Sequence, residues 1–300
     1  MTFLRLLGQS RLMGQEMNIL RRSHGWAARA SFFCNAERDL WRHVRRRGLT
    51  SANDSAAYPI DISLKGADGQ LRMQHIDVIL PHQLIHQMYL IPDLFNTTMI
   101  GPLGEDGLHE LWVQSSRMSW AACHPGRRHF VDNPKTCIPL RLHGDSIPVT
   151  KSVGMLILNF CSCMVRHLPA FESRQLLCAV RASKLLNLDD VMDVLKWSFN
   201  ALMTGIMPVN DHLGHPLTGE LAKDAGKAVA GPYKLLLCHV VGDWEFLRDY
   251  LDLENHYNVD EFCFLCRATK SHTCNCAWNY AADAPWVSTA RSNAEFMKRS

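Results

Sequence analysis

Residues 231–278 read GPYKLLLCHVVGDWEFLRDYLDLENHYNVDEFCFLCRATKSHTCNCAW, and this stretch decides the fold. Within it, residues 235–241 form a short apolar run bounded by glycine and proline, which predicts a buried strand because the run is too short for a helix. Asp243 comes directly after this run and its closing glycine. Four cysteines then follow in a C-x2-C-x7-C-x-C pattern: Cys263, Cys266, Cys274 and Cys276.

The four cysteines predict a structural zinc site. Two cysteines separated by two residues can direct both thiolates at one tetrahedral ion, and a second pair completes the ligand set. Cys274 and Cys276 are unusually close together, so His272 or His256 is an alternative to one of them. Polar residues surround the cysteines, which argues against four buried thiols without a metal. We therefore expect a zinc-binding insert over residues 256–278 with no open position for a substrate.

Composition places the chain among globular proteins. Of its 300 residues, 47% are hydrophobic and 20% are charged, which is typical of a chain that buries a core. The cysteine count of eleven is odd, and four of the eleven lie close together, which favours a reducing compartment with a metal site over a disulfide scaffold. No apolar stretch reaches the length of a membrane span, so no membrane association is expected.

The excess of positive over negative charge is confined to the N-terminal segment. Residues 1–48 contain ten Arg and three acidic residues, a local charge of +7, whereas the remainder contains 22 basic and 26 acidic residues. A solvated helix face or a poorly ordered tail is one interpretation of this segment. The others are a nuclear address, an arm that neutralises DNA phosphates, and a mitochondrial transit peptide, which the three acidic residues disfavour. The nucleus is accordingly the expected compartment, with the cytoplasm as the alternative.

The hydrophobic pattern predicts alternating strands and helices in three regions. These regions are a basic N-terminal segment and linker (1–54), a small mixed region (55–130) and an α/β core (131–300). A hairpin is expected over 61–80, because Asp68-Gly69 is typical of a tight turn. The other expected strands are 137–143, 155–165 and 235–241. The expected helices are 81–89, 171–186, 189–204, 220–228 and 244–253.

Two acidic residues follow apolar strands in the predicted core. Asp145 follows one strand and Asp243 another, so neighbouring strands would bring the two carboxylates to one end of the sheet. Paired carboxylates bind Mg2+ or Mn2+, and such ions can assist phosphodiester cleavage. The alternative is structural, because Asp after a strand is commonly a turn residue or helix cap.

Gly144-Asp145-Ser146 supports a further alternative, a serine esterase. Ser146 would then be the nucleophile, with partners among Asp211, His212 and His215. These residues lack the D-x-x-H spacing that such esterases show, so this alternative ranks below the metal site.

The order of these motifs resembles the DDE-type transposases of the Kyakuja–Dileera–Zisupton kind. The matching parts are Leu142-His143-Gly144-Asp145, the apolar strand before Val241-Gly242-Asp243-Trp244, and Cys263-Phe264-Leu265-Cys266. The likeness covers about residues 131–286. It implies a ribonuclease H-like core interrupted by a cysteine-rich insert.

This resemblance implies DNA transposition by metal-dependent phosphodiester cleavage and strand transfer. Asp145 and Asp243 would bind Mg2+ or Mn2+, DNA would be the partner, and a homo-oligomer remains open. The third acid of such a site lies on a helix beyond the insert, where Glu295 is the candidate. Since only 24 residues follow Cys276, a truncated or decayed copy without catalysis is also expected. A non-catalytic, zinc-containing module that binds nucleic acid or protein is therefore the alternative.

Overall fold

The computed structural model describes residues 57–65, 69–150, 153–181, 188–251, 258–263, 266–271, 276–277, 283–289 and 291. All of these residues belong to one unit, Ala52–Ser300. The predicted basic segment, residues 1–54, lies outside the described residues.

An antiparallel hairpin opens the described part of the chain. Strand β1 (Ala57–Lys65) pairs with β2 (Leu71–Ile79), in register from Ala57 opposite Ile79 to Lys65 opposite Leu71. Ile60, Ile62 and Leu64 are buried, as expected for one face of a strand with a period of two residues. The predicted hairpin is therefore confirmed in its two strands.

Helices of varied length follow each stretch of strand. The helices, in chain order, are α1 (Pro81–Tyr89), α2 (Pro92–Phe95) with a π-helical turn (Asn96–Ile100), α3 (Gly104–Ser115), α4 (Ser119–Cys123), α5 (Arg127–Asp132) with a 3-10 turn (Pro134–Thr136), α6 (Ala170–Ser173), α7 (Asp189–Thr204), α8 (Gly219–Ala222), α9 (Trp244–Leu251) and a last 3-10 turn (Pro285–Thr289).

A four-stranded mixed sheet carries the candidate site. Its strands are β3 (Cys137–Thr150), β4 (Val153–Ser162), β5 (Gln175–Arg181) and β6 (Lys234–Gly242), in the spatial order β5-β4-β3-β6. The first three form an antiparallel meander, and β6 pairs parallel to β3. Parallel pairing requires a crossover connection, and α7 lies within it. The protein is thus of the mixed α/β class, as predicted.

Helix α7 covers one face of the sheet. Its apolar residues recur at helical spacing, so that Val191, Val194, Leu195 and Leu202 are all buried. The rings of Phe199 on α7 and Phe160 on β4 meet edge to face, with centroids 6.0 Å apart. Gly205 ends the helix in the left-handed conformation, at φ +77°, as the sequence led us to expect.

Helices α3 to α5 cover the beginning of the opposite face. Trp112 stacks on Phe130, with centroids 4.3 Å apart, and its indole N–H donates to the Cys137 carbonyl of β3 at 2.7 Å. Leu236 of β6 packs in the same cluster. These contacts cover the N-terminal ends of β3 and β6, away from the two acidic residues.

The helix predicted over residues 171–186 is wrong. The chain forms only the short α6 before strand β5, whose residues pair with β4 from Phe160 opposite Gln175 to Met155 opposite Arg181. The apolar residues of this segment fit both periods, and β4 offers an unpaired edge that a strand can satisfy. Tertiary pairing therefore overrides the local preference. Residues 182–187 lie outside the described residues.

Other boundaries also differ from the predictions; strand β4, for example, spans Val153–Ser162 and not residues 155–165. Strand β3 continues to Thr150, so Asp145 lies within the strand and not after its end. Helix α3 begins at Gly104, within a region expected to be loop. The helix predicted over 220–228 is reduced to α8.

Candidate functional site

The two predicted acids follow paired glycines on adjacent parallel strands. Gly144 of β3 lies opposite Gly242 of β6, and Asp145 and Asp243 are the next residues in each case. Neighbouring strands lie about 4.8 Å apart, so the register brings the backbones of the two acids together. Asp145 is half-buried and Asp243 is exposed.

The paired glycines allow helix α9 to pack closely on the sheet. A Cβ atom placed on Gly144 or Gly242 would collide with the ring of Phe246, which is fully buried. The Gly144 carbonyl oxygen also lies 2.7 Å from the position that a Cβ of Gly242 would occupy. Side chains at these two positions would displace α9. Because α9 packs directly on the glycines, the chain passes from β6 into α9 next to the two acids.

Asp243 has a structural role at the start of α9. Its Oδ1 accepts the backbone N–H of Phe246 at 2.7 Å, and its carbonyl accepts the N–H of Leu247 at 3.1 Å. This is the N-cap arrangement, which satisfies a donor that the helix leaves unpaired. Asp243 therefore acts as the helix cap that the structural alternative predicted. Its other carboxylate oxygen, Oδ2, accepts no hydrogen bond from the described residues.

His143 lies in the electric field of both acids. Burial lowers the pKa of His143, as do the charges of Arg174 and Arg141, whereas the negative charges of Asp145 and Asp243 oppose this shift. Its ring Nδ1 is 3.4 Å from the side-chain nitrogen of Asn159 on β4. The neutral imidazole is therefore favoured beside two carboxylates.

The region around Cys263, Cys266 and Cys276, which we call the cysteine cluster, is held together by isolated β-bridges. Glu261 pairs antiparallel with Thr269, and Thr269 pairs parallel with Cys276. Backbone bonds reinforce this arrangement, from Lys270 N–H to the Asp260 carbonyl (3.0 Å) and from Ala277 N–H to the Thr269 carbonyl (2.9 Å). Cys263 and Cys266 lie in the turn of the first pair.

The thiols of Cys263 and Cys266 are hydrogen-bonded neighbours. Burial raises the pKa of Cys266, and the bond to Cys263 raises it further, while the backbone N–H of Ala268 donates to the Cys266 sulfur and opposes the shift. An amide donor aimed at sulfur stabilises a thiolate. On balance these effects favour the protonated thiol of Cys266.

Several predicted site residues lie outside the described residues: Cys274, His272, His256 and Glu295. Among the residues that the structure describes, no group of three or more His, Cys, Asp or Glu side chains is arranged to hold a metal ion. The nine described cysteines form no disulfide with one another.

The structure gives no support to the serine esterase alternative. Ser146 lies in strand β3, where it pairs with Leu156. The carboxylate of Asp211 instead accepts the backbone N–H groups of Leu213 and His215, at 2.9 and 2.8 Å. His212 is bonded to the Tyr58 hydroxyl at 2.9 Å.

Sequence analysis missed the polar residues around the two acids. Arg141 and His143 alternate with buried leucines along β3, and Asn159 interrupts an apolar run in β4. Alternation of this kind marks a strand with one polar face. The alternation could be seen in the sequence, but the sequence did not show which strands are neighbours in the sheet.

Comparison of the chain with protein-family models, with curated proteins and with solved structures gave no match. None of the described helices has the length and apolar character needed to cross a membrane. The class of the protein is therefore described by its fold and candidate site alone. It is a mixed α/β protein with one acid in a strand, a second acid directly after the neighbouring parallel strand, and a group of cysteines further along the chain.

Proposed function

We propose that this chain is a DDE-type DNA transposase, or a remnant of one, with a ribonuclease H-like core. The observation that supports the proposal is the register of β3 and β6, in which Gly144 lies opposite Gly242 and Asp145 and Asp243 are the next residues. A ribonuclease H-like core has an antiparallel meander followed, after a helix, by a strand parallel to the first. The observed order β5-β4-β3-β6 is compatible with that arrangement.

In this proposal Asp145 and Asp243 hold Mg2+ or Mn2+. Bound there, such ions would supply Lewis-acid assistance to phosphodiester cleavage and strand transfer. Hard carboxylate oxygens suit these cations, and Asp243 can keep its cap through Oδ1 while Oδ2 serves as a ligand. Glu295 is the proposed third acid, and DNA in the nucleus is the substrate.

The cysteine cluster is proposed to hold a structural zinc ion. Cys263 and Cys266 are paired thiols, Cys276 is bridged to the same short hairpin, and Cys274 is the fourth candidate. His272 or His256 would replace one of them if the close spacing of Cys274 and Cys276 excludes both from one ion. Such a site would stabilise the insert and take no part in the reaction.

Divalent-ion binding tests the acid site. Purified protein is titrated with Mn2+ and followed by its paramagnetic resonance signal, alongside the double variant Asp145→Asn, Asp243→Asn. We expect the double variant to lose a site that the parent protein has, and a control variant, Asp193→Asn on the exposed side of α7, to keep it. Equal Mn2+ binding in all three proteins would overturn the acid site.

Metal content tests the zinc site separately. We expect one tightly held zinc per chain, lost in Cys263→Ser and retained in Cys123→Ser, which changes an exposed cysteine on α4. A parent protein without zinc would overturn this part of the proposal.

A specific observation favours the second candidate, a non-catalytic zinc-containing module. Asp243 caps α9, and this role accounts for its position without any chemistry. Retention of zinc with no Mn2+ site dependent on Asp145 and Asp243 would favour this candidate or a transposase that has lost catalysis. If Mn2+ binds, a cleavage assay on labelled duplex DNA follows, with Glu295→Gln as the variant for the third acid.

A further inference from the structure

A row of polar side chains crosses strands β6, β3 and β4 of the sheet, near the two acids. Arg141 and His143 share one face of β3 with Asp145, because they alternate along the strand. His239 on β6 is the cross-strand partner of Arg141, and Asn159 on β4 is the partner of His143. These pairings extend the row to both neighbours of β3.

Two further arginines border this row. Arg174 precedes β5 and is two residues before Leu176, which pairs with Asn159, so it belongs to the same face. Arg166 follows β4 in a loop anchored by the Cys163 N–H, which donates to the Pro139 carbonyl of β3 at 2.9 Å. We call the set Arg141, His143, Arg166, Arg174 and His239 the basic strip.

The charges of the basic strip act on one another. Burial lowers the pKa of His239, and the charges of Arg141 and Arg166 lower it further. None of the three arginines forms an ion pair with a carboxylate among the described residues. Their positive charges are therefore available to an anionic partner.

The basic strip is accessible. Arg166, Arg174 and His239 are exposed, whereas Arg141 and His143 are half-buried. Leu176, two residues after Arg174, is exposed to 36% although it lies in the sheet. Helices α7 and α9 pack on the other face, where Phe199 meets Phe160 and Phe246 meets the two glycines. Helices α3 to α5 cover the beginning of the face that carries the strip and reach His239, whose ring centroid lies 6.0 Å from that of Trp120 on α4.

We propose that the basic strip binds the phosphate backbone of duplex DNA and leads it to Asp145 and Asp243. This inference rests on the proposed function, because it supplies the binding surface for the substrate of the acid site. Arginine binds phosphate with two parallel hydrogen bonds, and clustered arginines provide sequence-independent affinity for DNA. Four strands span about 14 Å, a distance comparable with about four phosphates along one DNA strand.

Binding of a fluorescein-labelled DNA duplex in buffer without added Mg2+ or Mn2+ tests the strip without the ions of the acid site and leaves the proposed structural zinc in place. The double variant Arg166→Gln, Arg174→Gln removes two exposed charges from it. The control, Arg128→Gln with Lys196→Gln, removes two exposed charges from α5 and α7, away from the strip. The Arg-rich residues 1–48 are present in every protein, so only the difference between variants is interpreted.

We expect the strip variant to bind about tenfold more weakly than the parent and its salt dependence to fall by about two phosphate contacts. The control should differ little from the parent. Equal loss in both variants would overturn the proposal, since it would indicate general charge only, and so would unchanged binding in the strip variant or no DNA binding by the parent.

The acid variant Asp145→Asn, Asp243→Asn separates this proposal from the function. DNA binding without added Mg2+ or Mn2+ that survives in the acid variant and falls in the strip variant supports the strip, whatever the Mn2+ titration shows. Loss of Mn2+ binding in the acid variant reports on the proposed function alone.

Discussion

At the scale of single residues, Asp243 combines a structural role with a proposed chemical one. Asparagine can still accept the Phe246 N–H as an N-cap, whereas alanine cannot. We expect Asp243→Ala to lower the free energy of unfolding by about 1 kcal/mol and Asp243→Asn to lower it by a few tenths. Urea unfolding followed by circular dichroism measures both.

The same two variants separate the two roles. Both should lose the Mn2+ site if Asp243 is a ligand, despite their unequal stabilities. If Asp243→Asn keeps Mn2+ binding, the carboxylate serves the helix and not the ion.

His82 makes stability depend on pH. It is fully buried on α1, its Nδ1 is 2.7 Å from the Ser198 hydroxyl oxygen, and its ring meets Trp197 edge to face. Burial lowers the pKa of His82 to about 3, and the charge of His86 adds to the shift. The unfolded chain therefore binds a proton near pH 6.5 that the folded chain binds only near pH 3.

The free energy of unfolding should then be constant with respect to His82 above pH 7 and fall as the pH drops from 6.5 towards 3, by ~1.4 kcal/mol per pH unit. His82→Phe should remove this component, whereas His109→Gln, which changes an exposed histidine on α3, should retain it. Urea midpoints at pH 7, 6, 5 and 4 provide the comparison. Parallel curves for the parent and His82→Phe would contradict the prediction.

At the scale of elements, the contact of α9 with the sheet depends on two glycines. Gly144→Ala would force its methyl group into the buried Phe246 ring, and overpacking of this kind costs about 1–3 kcal/mol. Phe246→Leu should reduce the collision, so the double variant should be more stable than the sum of the single effects indicates. Additive effects in thermal unfolding would show that α9 is not held by this contact.

The sequence predicted an element correctly where its apolar residues fitted either the helix period or the strand period alone, and wrongly where they fitted both. The alternation of Ile76 and Val78 with polar positions predicted a strand, and the spacing of Val194, Leu195, Phe199 and Leu202 predicted a helix, both as observed. Residues 175–181 fit both periods, and the edge of β4 determined the outcome. Local pattern contains no information about which edge a segment will meet.

The candidate site shows the same division. Apolar runs followed by Asp145 and Asp243 predicted two carboxylates at the ends of two strands. Strands β3 and β6 are neighbours, but Asp145 lies within β3 and not after its end. Pairing across β4 and β5, which brings Asn159 and Arg174 near His143, joins residues distant in sequence. No spacing along the chain could have predicted it.

At the scale of the whole molecule, the hairpin and the mixed sheet belong to one unit. Ile62 of β1 and Leu142 of β3 are each exposed to only 1%, and α7 packs against both β1 and β6. We expect Ile62→Ala and Leu142→Ala each to cost about 2–5 kcal/mol and to lower a single common transition. Coincidence of circular dichroism and tryptophan fluorescence curves tests this; two separate transitions would show that the hairpin unfolds independently.

The interruption in the pairing of β3 with β6 affects how the chain tolerates changes of length. Leu140 faces Leu237 and Arg141 faces His239, so Cys238 is a surplus residue without an opposite number. A shorter gene product lacking Cys238 could close the ladder and still leave Gly242 opposite Gly144. Strand β3 has no such spare residue between Arg141 and Asp145, and losing one there would turn the acid to the other side of the sheet. Natural length variation should therefore be found in β6 and be selected against in this part of β3.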